Sequence, residues 1–189
     1  MKQSFFESVQ QVINETHSLL LTLNLEGVSK WLHFIDSLRA KRRIFFWARG
    51  RSFLILRGFA MRLMHLGYEV HIVGEVDCPS IDKEDVLVVA SGSGSTGSIL
   101  LFAEKAKKIG ATVAAIIGKP ETPLHPFCDL VVEFHPEMTP ESQQLSANGG
   151  GTRFEHSLML FFDGCILNLV YDKRDLAYQE MMKRHANLE

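Results

Sequence analysis

Asp85-Val86-Leu87-Val88-Val89-Ala90-Ser91-Gly92-Ser93-Gly94-Ser95-Thr96-Gly97 opens on an unbroken apolar run and closes on alternating hydroxyls and glycines. A short β-branched run without polar alternation reads as a strand buried on both faces. The loop after it carries hydroxyls at 91, 93, 95 and 96 and glycines at 92, 94 and 97. Glycine lets the backbone turn sharply and approach a ligand closely. Ile99–Ile109 then reads as a helix that ends in Lys107, Lys108 and Gly110. The first amides of a helix lack internal partners and sit at the positive end of its dipole. Strand, hydroxyl-and-glycine loop and helix start, in that order, predict a phosphate cradle. Taken alone, the loop also reads as an ordinary turn with Ser or Thr capping the helix.

Working outward, the same alternation continues. Arg43–Ala48 is a compact apolar run that reads as a buried strand, and Ser52–Leu66 reads as a helix stopped by Gly67. Glu69–Gly74, Thr112–Ile117 and Asp129–Phe134 read as further strands. Pro136–Gly151 is polar and ends in consecutive glycines, so it reads as a loop, and Phe154–Tyr171 and Asp175–Arg184 read as helices. The first forty residues show helical spacing at Phe5, Val9, Val12, Ile13, Leu19, Leu20 and Leu23, then again from Val28 to Leu38, with a break near Gly27. About five apolar strands alternating with helices predict an α/β fold, a five-stranded parallel sheet covered on both faces. With no linker or repeat, residues 1–189 read as one domain: N-terminal helices over 1–40, an α/β core over 41–150, and C-terminal helices and tail over 151–189.

Composition narrows the function classes. Lys and Arg number 20 against 22 Asp and Glu, a net charge of −2, which supplies no broad field for nucleic acid or an anionic membrane. The one basic cluster, Arg39, Lys41, Arg42 and Arg43, reads as a solvated helix end and strand start. Cys78, Cys128 and Cys165 have no CxxC spacing and suit free thiols in a reducing cytoplasm. Met1–Gln11 lacks the apolar core of a signal peptide. Leu158–Val170 is broken by Asp163, Gly164 and Asn168 and falls short of the ~18 apolar residues of a spanning helix.

In open parallel sheets ligands bind beyond the carboxyl ends of the strands. Two loops belong there, Ala48-Arg49-Gly50-Arg51-Ser52 and Ser91–Gly97. Arg51 offers a fixed cation for a phosphate or a developing enediolate, with Ser52 beside it; its alternative is a surface arginine at a strand end. Gly92, Gly94 and Gly97 also satisfy Gly-x-Gly-x-x-Gly, but the next strand runs into Gly118, Lys119 and Pro120 with no ribose-binding acid at its end. No Gly-Lys-Ser/Thr follows the glycines, so the loop is not a Walker A motif. An isomerisation beside a carbonyl needs one proton shuttle, and Glu155 is the candidate, in the first turn of an apolar helix; a dipole-favoured helix-start acid is its alternative role. Asp163 reads as a paired buried acid or part of a subunit boundary. The eight histidines, His17, His33, His65, His71, His125, His135, His156 and His185, form no HExxH spacing, so no required metal and no cofactor are expected. Ser93 lacks a Gly-x-Ser-x-Gly elbow.

The strand–Ser91-Gly92-Ser93-Gly94-Ser95-Thr96–helix unit resembles the phosphate loop of SIS-domain sugar isomerases. Arg51-Ser52, Phe59–Gly67 (FAMRLMHLG), Gly151-Thr152-x-Phe154-Glu155 and the terminal Arg184–Glu189 (RHANLE) resemble the 6-phospho-3-hexuloisomerases across nearly the whole chain. The resemblance implies a three-layer α/β/α sandwich, flavodoxin-like in class, assembled as a homo-oligomer (a tetramer or dimer). It implies interconversion of 3-hexulose 6-phosphate and fructose 6-phosphate through an enediol, within the ribulose monophosphate pathway or pentose supply. Ser52, Ser91, Gly92, Ser93 and Thr96 would hold the phosphate, with Arg51 beside them. Glu155 would be the base, and His185 would assist from a neighbouring subunit. The family's first loop reads Gly-Ala-Gly-Arg-Ser-Gly where this chain has Ala48-Arg49-Gly50-Arg51-Ser52-Phe53, Ser95 stands in place of a glutamate, and Gly149-Gly150 in place of Pro-Met before Gly151-Thr152. These departures keep two alternatives open: a sugar-phosphate-binding protein without turnover, and an isomerase of another phosphosugar.

Overall fold

The computed structural model describes residues 4–136, 146, 147, 149 and 151–188. Most of the expected loop at 136–151 therefore lies outside the described residues. Helices α1 (Phe5–Leu20) and α2 (Leu25–Leu38) precede β1 (Ile44–Trp47), α3 (Gly50–His65), β2 (Val70–Ile72), β3 (Val86–Ser91), α4 (Gly97–Ile109), β4 (Thr112–Ile117) and β5 (Leu130–Glu133). Helices α5 (Thr152–Leu169) and α6 (Arg174–Lys183) follow. The five strands form one sheet in the order β2-β1-β3-β4-β5, and every pair is parallel.

Strand side chains alternate between two cores, as the period of two requires. Phe46, Val88, Ala90, Ala114, Ile116 and Val132 face a layer that includes Trp31 and Ile35 of α2, Leu56, Phe59 and Leu63 of α3, and Leu158 and Phe162 of α5. Phe45, Leu87, Val89, Val113, Ala115 and Ile117 face Ile99, Ala103 and Ala106 of α4. The result is the three-layer α/β/α sandwich. Phe59 and Phe162 stack at 4.2 Å and lock α3 to α5. The buried Ser157 hydroxyl donates to the Thr16 carbonyl at 3.3 Å, so α5 is also tied to α1.

One local expectation is refined and one needs correction. The first helical break falls at Leu21–Asn24, where the Asn24 side chain accepts from the amides of Glu26 and Gly27. Gly27 lies in the first turn of α2, where a Cβ would meet the Val131 carbonyl oxygen at 2.9 Å. The basic cluster is also engaged rather than merely solvated. Arg42 donates to the carbonyls of Glu84 and Asp85 and to the Thr112 hydroxyl, and Arg43 pairs with both oxygens of Asp85, at 2.9 and 2.6 Å. The two arginines bind the amino ends of β1, β3 and β4 together.

Candidate active site

From β1 the chain winds through α3 to β2 on one side; from β3 it winds through α4 to β4 on the other. The winding therefore reverses between β1 and β3, and a crevice opens beyond their carboxyl ends. Both loops singled out from the sequence border it. The N-termini of α3 and α4 meet there, and α5 brings its own N-terminus through Arg51's contact with Thr152. Three helix dipoles thus present their positive ends to one place.

The loop between β3 and α4 is folded over Ser91. The buried Ser91 Oγ accepts from the Gly94 amide at 3.0 Å and lies 3.5 Å from Thr96 Oγ1. Ser91 therefore shapes the loop from beneath. Ser93 is exposed and accepts from the Ser95 amide at 3.3 Å and the Ser95 hydroxyl at 3.1 Å. Thr96 is the N-cap of α4 by position, yet its side chain makes no cap bond, which leaves the hydroxyl directed at Ser91. Gly94 has φ +61°, and a Cβ there would lie 2.1 Å from Thr122 Oγ1. Gly118, at the end of β4, packs so closely that a Cβ would lie 2.4 Å from the Gly92 carbonyl oxygen. The loop is held by both neighbours and has no room for a bulkier backbone path.

Across the crevice, the Arg51 guanidinium lies 3.1 Å from Glu155 Oε2 and donates to Thr152 Oγ1 at 3.3 Å. Glu155 is only 14% exposed, whereas Arg51 is about half exposed. Thr152 in turn donates to the Gly149 carbonyl at 2.9 Å. Ser52 is buried in the first turn of α3, directly after Arg51. Phe53, the departure from the family pattern, packs edge-on against Trp47 at 5.1 Å and lies under the Arg57 guanidinium.

His185 is not brought to Glu155 within the chain. It stacks on His65 at 5.3 Å, at the far end of α3 from Ser52, roughly 20 Å away along the helix. Asp163 is exposed, so the buried-acid alternative fails. Sequence reading gave no role to Thr122 or Glu133, and weighed His125 and His135 only as metal ligands. Thr122 Oγ1 and its amide both lie 3.0 Å from His125 Nδ1, His125 Nε2 lies 2.7 Å from Glu133 Oε2, and His135 Nε2 lies 3.2 Å from Glu133 Oε1. Only the acid at the carboxyl end of β5 hinted at this group. Among the described residues no His/Cys/Asp/Glu cluster has metal-binding geometry, and no helix is long and apolar enough to cross a membrane.

Fold and crevice define a doubly wound α/β protein with its topological switch between β1 and β3. The chain belongs to the SIS domain family, whose model matches residues 37–150. It is 35% identical over 190 residues to the 3-hexulose-6-phosphate isomerase of Bacillus subtilis, covering 97% of this chain and 98% of that protein. It is 41% identical over 160 residues to the enzyme of the same name from Methylomonas aminofaciens, covering 85% and 86%. It also superposes on the crystal structure of MJ1247 from Methanococcus jannaschii, for which a 3-hexulose-6-phosphate isomerase function has been inferred. The TM-score there is 0.78, with 33% identity over 97% of this chain and 99% of that one.

Proposed function

We propose that this protein is a sugar-phosphate isomerase that interconverts 3-hexulose 6-phosphate and fructose 6-phosphate. The observation that carries the reading is the Arg51–Glu155 pair, set across a switch-point crevice from the hydroxyl-and-glycine loop. The 3-hexulose-6-phosphate isomerase of Bacillus subtilis aligns over almost the whole chain.

In this reading the sugar's phosphate lies between the N-termini of α3 and α4. Ser52, Ser93 and Thr96 donate hydroxyls to it, Gly92 lets the backbone approach, and Ser91 holds the loop in shape. The reacting carbons then lie beside Glu155. Its carboxylate takes the proton from C3 of fructose 6-phosphate, and the carbonyl oxygen at C2 is protonated as the enediol forms. Return of a proton to C2, with loss of the proton on the C3 oxygen, gives the 3-ketose. No electrons are gained or lost overall, so the reading calls for no cofactor. Arg51, 3.1 Å from Glu155, faces the oxygen on which negative charge grows.

The assembly completes the site. Met159, Leu160 and Leu167 of α5 and Leu54 and Met61 of α3 are exposed apolar residues. Met159, Leu54 and Met61 border an apolar groove of about 340 Å³ between the two helices. A helix face of this kind suits a second copy of the chain, in a dimer or tetramer. His185 is exposed and remote from its own Glu155, which suits a role at a neighbouring subunit's site, assisting proton transfer to oxygen. Residues 1–189 act as one domain in this reading, and the three free cysteines suit a cytoplasmic setting. The test supplies 3-hexulose 6-phosphate made in situ and follows fructose 6-phosphate through coupled NADPH formation. Turnover by the wild-type chain is expected. Its absence, with fructose 6-phosphate still raising the melting temperature, would replace the isomerase by a binding protein or by an isomerase of another sugar.

A further inference from the structure

Thr122 occupies the space in which a side chain at position 94 would stand: its Oγ1, Cβ and Cγ2 would lie 2.1, 2.4 and 2.6 Å from a Cβ on Gly94. The loop is therefore clamped at one point. Ser91 holds the Gly94 amide from one side, and the Thr122 side chain closes the other. Thr122 is itself not free to turn. Its amide donates to His125 Nδ1 at 3.0 Å, and its hydroxyl lies 3.0 Å from the same nitrogen. An imidazole that accepts at Nδ1 carries its proton at Nε2 when neutral. That N–H points at Glu133 Oε2, 2.7 Å away. The second oxygen of Glu133 faces His135 Nε2 at 3.2 Å. Backbone bonds anchor the outer end: Asn24 donates to the Glu133 carbonyl, and the His135 amide donates to the carbonyl and hydroxyl of Thr22.

We infer that His125, oriented by Glu133, is a positioning residue that holds Thr122 against Gly94 and so sets the shape of the phosphate loop. This rests on the proposed phosphate-binding role of that loop. The four side chains form a chain of contacts from the edge strand to the loop, and the described contacts of His125 do not include Glu155. Its effect therefore falls on binding of the phosphate group, which is shared by ground and transition states, and so on KM rather than kcat. Asparagine places a carbonyl oxygen where His125 has Nδ1, so it keeps the acceptor for Thr122 without reaching Glu133.

The experiment compares wild type, His125→Ala and His125→Asn. Titration calorimetry is run with inorganic phosphate and with fructose 6-phosphate, beside kcat, KM and thermal melting. Loss of the bond that fixes Thr122 is expected to weaken phosphate binding and raise KM about tenfold in His125→Ala, with kcat within about twofold. His125→Asn is expected to recover most of that loss. Three results would overturn the inference: wild-type phosphate affinity in His125→Ala; failure of His125→Asn to recover affinity although it melts like wild type; or a fall in kcat with KM unchanged. Failure of wild type to bind phosphate would overturn both the loop's role and this inference. Phosphate binding without turnover would remove only the isomerase reading, and the calorimetric comparison would still decide the role of His125.

Discussion

His65 shows how burial sets the behaviour of a single residue. It is 5% exposed at the end of α3, and burial, followed by the nearby charges of His185 and Arg62, holds its pKa below the ordinary 6.5. The neutral form is thus favoured in the folded chain. Above about pH 6.5 both folded and unfolded chains carry it neutral, and nothing is lost. Below that value the unfolded chain takes up the proton first, so stability falls with pH until the folded pKa is passed. Melting at about pH 7.5 and about pH 5.5 checks this: His65→Gln should lose less stability on acidification than wild type. An equal loss in both would show that His65 contributes nothing to the slope. The proton takes no part in the crevice chemistry, because His65 lies at the opposite end of α3 from Ser52.

Among the elements, the β3–loop–α4 unit was the most legible, because all its determinants are local: an apolar run, alternating glycines and a lysine-rich helix end. The same locality gives a clean prediction. Gly94→Ala places a Cβ against Thr122 at φ +61°, and the left-handed backbone alone costs about 1–2 kcal/mol. Gly97→Ala meets nothing within 4 Å and has no positive φ. Denaturant titration should therefore show a marked loss for Gly94→Ala and little change for Gly97→Ala, and phosphate binding should follow the same order. Equal stabilities would mean that the clamp at Gly94 does not matter. Where pairing depends on distant chain, sequence reading ran out. Thr122, His125 and Glu133 converge on the loop only because β4 and β5 pair in parallel register. Arg51 meets Glu155 only because α5 docks back over α3. The break expected near Gly27 lies just before it, at the Asn24 cap, while Gly27's close approach to β5 is tertiary and left no sequence signal.

At the scale of the whole molecule, the fold class was readable because strands buried on both faces leave a continuous apolar signature. The expectation of an assembly rests on a helix with too little polar surface. If α5 covers itself with a second copy, Leu160→Glu should shift the protein toward monomers in light scattering at micromolar concentration and make its melting temperature lower and concentration-dependent. An unchanged oligomer would move the interface elsewhere. With Arg49, Phe53 and Ser95 in place, the Arg51–Glu155 pair and the Ser91–Gly94 bond still form. The central claim is that Glu155 moves the proton. The most direct test measures turnover of 3-hexulose 6-phosphate by wild type and Glu155→Gln, with fructose 6-phosphate binding measured on the same preparations. The account predicts turnover in wild type, a loss of about 10²-fold or more in kcat for Glu155→Gln, and similar affinity for the sugar phosphate in both. Undiminished turnover by Glu155→Gln would contradict it.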